Sequence, residues 1–480
     1  MKFLTPLCRT VVVTAEPEDW HVSVEPHPPR PHRLPHADAV VPPVTPATPA
    51  TPMSPEIPET PETLPDLDAM LEDLRELVLC ESFSADHAAV ATSAGVVARQ
   101  GHDRLGARPE TIVIDGVTHL RWTFGTPRVL LLGHHDTVWP VGTLRTHPWS
   151  VAGGIARGPG VFDMKAGLVQ MFHALALLPS LDGVCVLVTG DEEVGSPSSR
   201  ALVEESARAC AATFVLEGSA DGGALKIARK GTSMYEVVVH GRGAHAGLDP
   251  EKGANAGVEL AHQILAVAGI AARVDDTPPG TATGPGPGTT TGQETETLEG
   301  SEPVVRPETA VGSETTVGPA IGRGAADGPG PVTVTPTLLS GGTTTNTVPA
   351  LARLAVDARV PTLDAQRRVD ELMRALRPHT PGTRLEVLGG PNRPPMEPAS
   401  SAGLFDLARR VAAEAGLAPL SGVGVGGASD GNFTAGAGCP TLDGLGAVGG
   451  GAHADDEHVV VAEMPVRAAL LAGLVEAVLR

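Results

Sequence analysis

Regular patterning begins at Asp66, where Leu67, Met70, Leu71, Leu74 and Leu77 recur at helical spacing. Upstream, residues 1–65 show no apolar period. Their Pro/Thr-rich run, VVPPVTPATPATPMSPEIPETPETLP, cannot offset its ordering entropy, so an unstructured tail is expected. From Asp66 to about residue 229, short apolar runs alternate with helical patterns. Val129 to Leu132, Val184 to Val188 and Phe214 to Leu216 read as strands, and Met164 to Leu178 reads as an amphipathic helix. This alternation predicts an α/β domain with a mostly parallel sheet. From about Lys230 the pattern changes: SMYEVVVHG is a solvated strand, Glu251 to Ala271 a helix, and VTVTPTLLSGG and ARLAVDARV two further strands. Residues 230–361 are therefore expected to form a small α+β unit. Within it, residues 277–331 have loop composition. A loop of that length normally counts against the element assignment, but the shift is sharp enough to predict a disordered acidic insertion. Helix–strand alternation resumes from Leu363, so the α/β domain is expected to be discontinuous, residues 66–229 and 362–480.

Composition narrows the function classes. The chain has 480 residues with 35 basic and 56 acidic side chains, a formal charge of −21, and no long Lys/Arg cluster. That balance argues against nucleic acid and anionic membrane as partners. The apolar runs look shorter than the ~18 residues a spanning helix needs, and Pro6 and Arg9 interrupt MKFLTPLCRTVVV, so neither a membrane span nor a signal peptide is expected. Five scattered cysteines (Cys8, Cys80, Cys185, Cys210, Cys439) make no CxxC pair. An odd, dispersed set predicts free thiols and a cytoplasmic location. The tail histidines His21, His27, His32 and His36 have nothing to fix their geometry and are read as inert.

The chemistry gathers where the apolar strands end. VLLLG runs into His134-His135-Asp136, CVLVTG into Asp191-Glu192-Glu193, and FVL into Glu217, while the Gly-rich segment after Pro440 delivers His453. GPGVFDMKAG sets Asp163 in a turn before a helix. Ligands of α/β sheets bind outside the carboxyl ends of the strands. Taken singly, Asp163 could cap a helix, Glu192-Glu193 could be a solvated turn and His453 a loop residue. Their equivalent positions favour one site instead, and imidazole plus carboxylate without thiolate suits catalytic Zn²⁺ or a similar divalent ion.

GHHDTV, GPGVFDMKAG, TGDEEVGS, VLEG, GRGAHAG and GGASDGNF followed by GGGAHADDEHV resemble the di-zinc exopeptidase and deacylase family. Its members include glutamate carboxypeptidases of the carboxypeptidase G type, acetylornithine and succinyl-diaminopimelate deacylases, aminoacylases and dipeptidases. GGASDGNFTAG and PTLDGLGAVGGGAHADDEH resemble most the glutamate-carboxypeptidase-like branch. The resemblance covers about residues 66–480 apart from the insertion, and implies a zinc-peptidase catalytic domain interrupted by a smaller dimerisation (lid) domain. It implies two Zn²⁺ per subunit, with Co²⁺ or Mn²⁺ as possible substitutes. His134 and Glu217 would hold one metal, Glu193 and His453 the other, and Asp163 would bridge them. Asp136 would orient His134 as an outer-shell carboxylate. Glu192 would be the general base for the bridging water, and the Asp163–Met164 peptide would be cis.

The resemblance also assigns His245, in GRGAHAG, to a substrate oxyanion, often across a homodimer interface. A loop histidine bonded to backbone is the plain alternative. Arg359 would clamp the substrate's terminal carboxylate, with Asn346 as a nearby polar contact; an exposed strand arginine is the other reading. Asp430 is expected to support the loops around the site. His135 is expected not to ligate, and His173, His240 and His262 to be structural. The implied activity is a zinc-dependent carboxypeptidase acting on small peptides. An N-acyl-amino-acid deacylase is the nearest alternative, and a catalytically silent binding or interaction protein is a further one.

Overall fold

The computed structural model describes residues 64–275 and 328–480. Nearly all of the expected tail (1–65) and insertion (277–331) therefore lies outside the described residues. The larger sheet has six strands in the order Glu110–Ile114, Val117–Thr123, Val184–Thr189, Val129–His134, Ala212–Val215, Thr441–Leu442. The last four are mutually parallel, and the first two add an antiparallel hairpin that the sequence pattern did not suggest. Strands Val129–His134 and Val184–Thr189 are buried at every position. They lie between two hydrophobic layers, which is why they read as continuous apolar runs. Val129 and Leu131 face one layer, with Phe172, Met464 and Leu471. Leu130 and Leu132 face the other, with Val203 and Phe433; this is the two-residue period of a strand.

The helix Leu67–Leu79 forms as its spacing predicts, with the Asp66 carboxylate accepting the Asp68 N–H at its start. The helix expected from Met164 starts at Ala166 and runs to Ala176. Asp163 and Met164 have non-helical backbone angles in the wider turn Val161–Lys165 that precedes it. Nor is that helix amphipathic in use: every residue from Ala166 to Leu175 is buried.

The smaller sheet is wholly antiparallel, in the order Thr333–Gly341, Leu351–Val360, Gly231–His240, Arg384–Arg393. Its core joins Val237, Val239, Leu354, Val356 and Ala358 to residues of the helices Ala256–Ala268, Ile270–Asp275 and Leu363–Arg374. Three expectations are corrected here. The smaller unit does not close at residue 361: Val369, Leu372 and Met373 lie in its core, and Arg384–Arg393 is its fourth strand. That strand's Gly389, Gly390 and Pro391 hide its pattern. The helix expected from Glu251 begins at Ala256, where Asn255 accepts the N–H groups of Gly257 and Val258. The 20-residue stretch Ala256–Asp275 is long and apolar enough to span a membrane by composition, contrary to the expectation of no such run. Here it buries Leu260, Val267, Ile270 and Val274 against the smaller sheet. Past Arg393 the chain returns to the larger core through helices Pro398–Glu414 and Glu463–Leu479.

Candidate active site

Parallel register brings the sequence-distant polar residues to one rim. His134 pairs with Thr189 across neighbouring strands, and Leu132 with Val215 on the other side. His134, the Asp191–Glu193 turn and Glu217 therefore leave the sheet at the same end. Asp163 arrives from the turn after Gly160, and His453 from a loop in which its own φ is +64°. The His134 Nε2 lies 3.2 Å from Asp163 Oδ1 and 3.7 Å from Glu217 Oε1. The His453 Nε2 lies 3.3 Å from Asp163 Oδ2 and 3.0 Å from Glu193 Oε2. These are two three-residue groups, His134/Asp163/Glu217 and Asp163/Glu193/His453, each with donor atoms within 4.8 Å of one another. Asp163 belongs to both and turns one oxygen to each.

The donor set fits a pair of divalent cations. Three carboxylates converge with two imidazoles, a concentration of acceptors that needs positive charge. Glu193 Oε1 is buried without a hydrogen-bond partner. In the protein alone, protons supply part of the balance. Hydrogen bonds to Asp163 and Glu193 push His453 up to about 10. Burial, reinforced by the Asp163 charge, lifts Glu217 to about 7 despite Arg229. Burial works against charge on Asp163 and His134, yet their hydrogen bonds outweigh it. The first is held well below, and the second well above, its ordinary range.

Asp136 organises two of these elements. Its Oδ1 stands 3.4 Å from His134 Nδ1, which also lies 2.9 Å from the Asp136 carbonyl oxygen. Ser84 Oγ donates to Asp136 at 2.7 Å, and the N–H groups of Glu192 and Glu193 donate to it at 3.2 Å each. One buried carboxylate thus sets the ring of His134 and the conformation of the DEE turn. Glu192 is buried beside these groups, with Oε1 3.0 Å from Arg393 Nη2. Burial pushes its carboxyl well above the usual range, with Arg393 pulling the other way.

Three supporting residues escaped the sequence reading. Glu457 accepts the N–H groups of Gly160, Phe162 and Asp163 at 3.0, 2.9 and 3.1 Å, and the Trp139 indole N–H at 2.7 Å. It therefore staples the turn carrying Asp163, whose bond to Met164 is cis. Arg229 binds Asp443 at 2.6 Å and lies 3.7 Å from Glu217, backing that carboxylate. Arg393 bonds to Glu192, Ser196 and Asp430. The acidic run ADDEH looks like solvated loop, and neither arginine has a partner at any recognisable spacing. Only chain crossing brings these partners together. Asp430, foreseen as a support, accepts from Thr189 Oγ1 at 3.2 Å and from Ser196 Oγ.

The remaining predicted residues are not drawn into the cluster. His245 is exposed, and its Nδ1 accepts the N–H groups of Gly247 and Leu248 at 3.2 and 3.1 Å. Asn346 lies beside it, its carbonyl accepting the Ala246 N–H at 2.8 Å. Arg359 is half-buried on the smaller sheet and forks onto Asp357 at 2.8 and 2.9 Å. None of the three contacts the rim cluster within this chain. His135 is buried behind it, 3.1 Å from the Thr118 carbonyl, its pKa pushed down to about 4 by burial. His173 bonds Asp73 at 2.8 Å, His240 meets Glu386 at 3.2 Å and His262 stacks on His379, all away from the cluster.

An α/β sheet whose strand ends carry two carboxylate–imidazole groups joined by one aspartate has the fold and donor set of a metal-dependent amidohydrolase. The chain belongs to peptidase family M20/M25/M40, whose family model matches residues 130–477. It is 35% identical over 147 residues to carboxypeptidase G2 of Pseudomonas sp. (strain RS-16), covering 29% of this chain and 35% of that one. It is 29% identical over 187 residues to a succinyl-diaminopimelate desuccinylase of Gluconobacter oxydans (strain 621H), covering 36% and 49%. The matches thus span a third to a half of these relatives' lengths. Among solved structures, the M20 family metallo-carboxypeptidase Sso-CP2 of Sulfolobus solfataricus shares the fold, with a TM-score of 0.60 at 15% identity, over 85% of this chain and 99% of that one.

Proposed function

We propose that the protein is a two-zinc exopeptidase that hydrolyses an amide bond beside a free carboxylate, a metallocarboxypeptidase of the glutamate-carboxypeptidase-like kind. The observation that carries this reading is Asp163, shared between the His134/Glu217 and Glu193/His453 groups with Glu192 alongside. His134, Asp163 and Glu217 would hold one ion, and Asp163, Glu193 and His453 the other; Co²⁺ or Mn²⁺ could replace zinc. Bound there, the ions supply Lewis acidity toward the amide carbonyl and acidify water. Glu192 takes a proton from the attacking water and returns it to the leaving nitrogen, a role that suits a carboxyl whose pKa burial has raised. Asp136 keeps the His134 ring and the DEE turn in register. Arg359, with Asp357 on one edge of its fork, takes the substrate's terminal carboxylate with the other, and Asn346 adds a polar contact.

We further propose a homodimer joined through the smaller unit, with His245 serving the partner's site. The edge strand Thr333–Gly341 exposes Leu338 and Leu339, and helix Ala256–Ala268 exposes Val258 and Leu265, an apolar margin, unpaired among the described residues, suited to a second copy. Cys80, Cys185, Cys210 and Cys439 are free, which supports a cytoplasmic setting.

The desuccinylase similarity favours a second reading, an N-acyl-amino-acid deacylase with the same machinery. Metal analysis combined with a hydrolysis screen separates them. Release of glutamate from folyl- and peptidyl-glutamate is expected. Cleavage confined to N-acyl amino acids would replace the first reading with the second, and hydrolysis of neither would reject both.

A further inference from the structure

We infer that Arg393 is a positioning residue for the base, tying Glu192 to the smaller sheet; this rests on the reading of Glu192 as base. Arg393 is the last residue of strand Arg384–Arg393, paired with Thr232, and its carbonyl accepts Gln366 Nε2 from the helix behind that sheet at 2.9 Å. Its backbone thus belongs to the smaller unit. Its side chain, 9% exposed, crosses to the rim of the larger one. There Nη2 lies 3.0 Å from Glu192 Oε1, 3.1 Å from the Glu192 carbonyl, 2.8 Å from Ser196 Oγ and 3.2 Å from Asp430 Oδ1. The guanidinium carbon sits 5.3 Å from the Phe433 ring centroid, which fixes the plane of the fork.

The interactions are one-sided. Nε is buried without an acceptor, while Nη2 serves both the carboxylate and the carbonyl of Glu192. A bond to main chain and side chain of the same residue restrains its χ angles as well as balancing its charge. Glu193, next in sequence, is restrained instead by His453. Holding one Glu192 oxygen against Arg393 leaves the other as the proton acceptor. Because Arg393 is planted in the smaller sheet, a shift of that sheet moves the base. Such displacement costs rate steeply: a 1 Å misplacement is worth about 10²-fold. The four acceptors gathered on Nη2 assign this nitrogen to positioning Glu192.

The test compares kinetics, cation binding by calorimetry and melting temperature for Arg393→Lys, Ser196→Ala, Glu192→Gln and Arg393→Lys/Glu192→Gln. Lysine keeps the charge but not the fork. Arg393→Lys is expected to lower kcat roughly 10- to 10²-fold, with KM and cation binding unchanged. In the Glu192→Gln background it should cost nothing further, as expected when two residues act as one unit. A kcat within about twofold of wild type, a raised KM with kcat kept, or losses that multiply in the double variant would each overturn the inference. If Arg393→Lys loses its cations or melts early, Ser196→Ala decides alone, since it removes one anchor of Nη2 without touching Glu192. A severalfold fall in kcat at constant KM supports the inference and an unchanged kcat rejects it. If Glu192→Gln itself keeps its turnover, the base assignment fails first.

Discussion

Glu192 and Glu193 are consecutive and share one backbone anchor, Asp136, yet their carboxylates serve opposite sides of the turn. Glu192 Oε1 meets Arg393 at 3.0 Å, while Glu193 Oε2 meets His453 at 3.0 Å. On the proposed reading, a proton carrier sits beside a metal ligand without competing for the same ion. Glu192→Gln preserves shape and removes proton acceptance. Bound metal and melting temperature should barely move, while kcat falls by the ~10²–10⁴ of general acid–base catalysis. Glu193→Gln should lose second-site metal as well. Metal analysis beside turnover checks both, and retention of more than about a tenth of wild-type kcat by Glu192→Gln would contradict the division of labour.

Cation binding should release protons and strengthen with rising pH. Near neutrality His453, with its pKa at about 10, is protonated, and Glu217, at about 7, is partly so. A cation must displace those protons, so affinity falls as pH drops below each pKa and levels off above about 10. Calorimetry in buffers of differing ionisation enthalpy should show more than one proton leaving per pair of ions near pH 7. Binding without proton release, or affinity independent of pH from 6 to 8, would count against the assigned donors.

The proposed assembly through the smaller unit is open to a complementation experiment. If His245 completes the partner's site, inactive His245→Ala and inactive Glu192→Gln subunits should recover partial activity when mixed and allowed to exchange. Light scattering should report a dimer. A monomer with full activity, or a His245→Ala variant as active as the parent, would end the proposal.

Removing residues 280–327 should leave fold and activity nearly unchanged. The ends to be rejoined are helix Ile270–Asp275 and strand Thr333–Gly341, whose Ile270, Val274 and Val334 already lie in one core. Closing a shorter loop costs little, about 0.6 kcal/mol per doubling of length. A melting temperature many degrees lower would show that the segment carries structure.

Local order was legible where a single period governed it. The apolar runs through Leu131 and Val186, the helix carried by Met70 and Leu74, and the donors His134, Asp163, Glu193, Glu217 and His453 all follow from short-range pattern and motif, because strand ends and turns are set by neighbours in the chain. What the chain could not announce is pairing between distant segments. Arg393 reaches Glu192 across 201 positions, Glu457 reaches Phe162 across 295, and Arg229 reaches Asp443 across 214. The strand Arg384–Arg393 joined the smaller sheet despite its glycines, since strand Gly231–His240 offered it an edge to pair with. Such contacts leave no periodic trace: burial makes each charge costly alone, and only the assembled sheets bring its partner within hydrogen-bond reach.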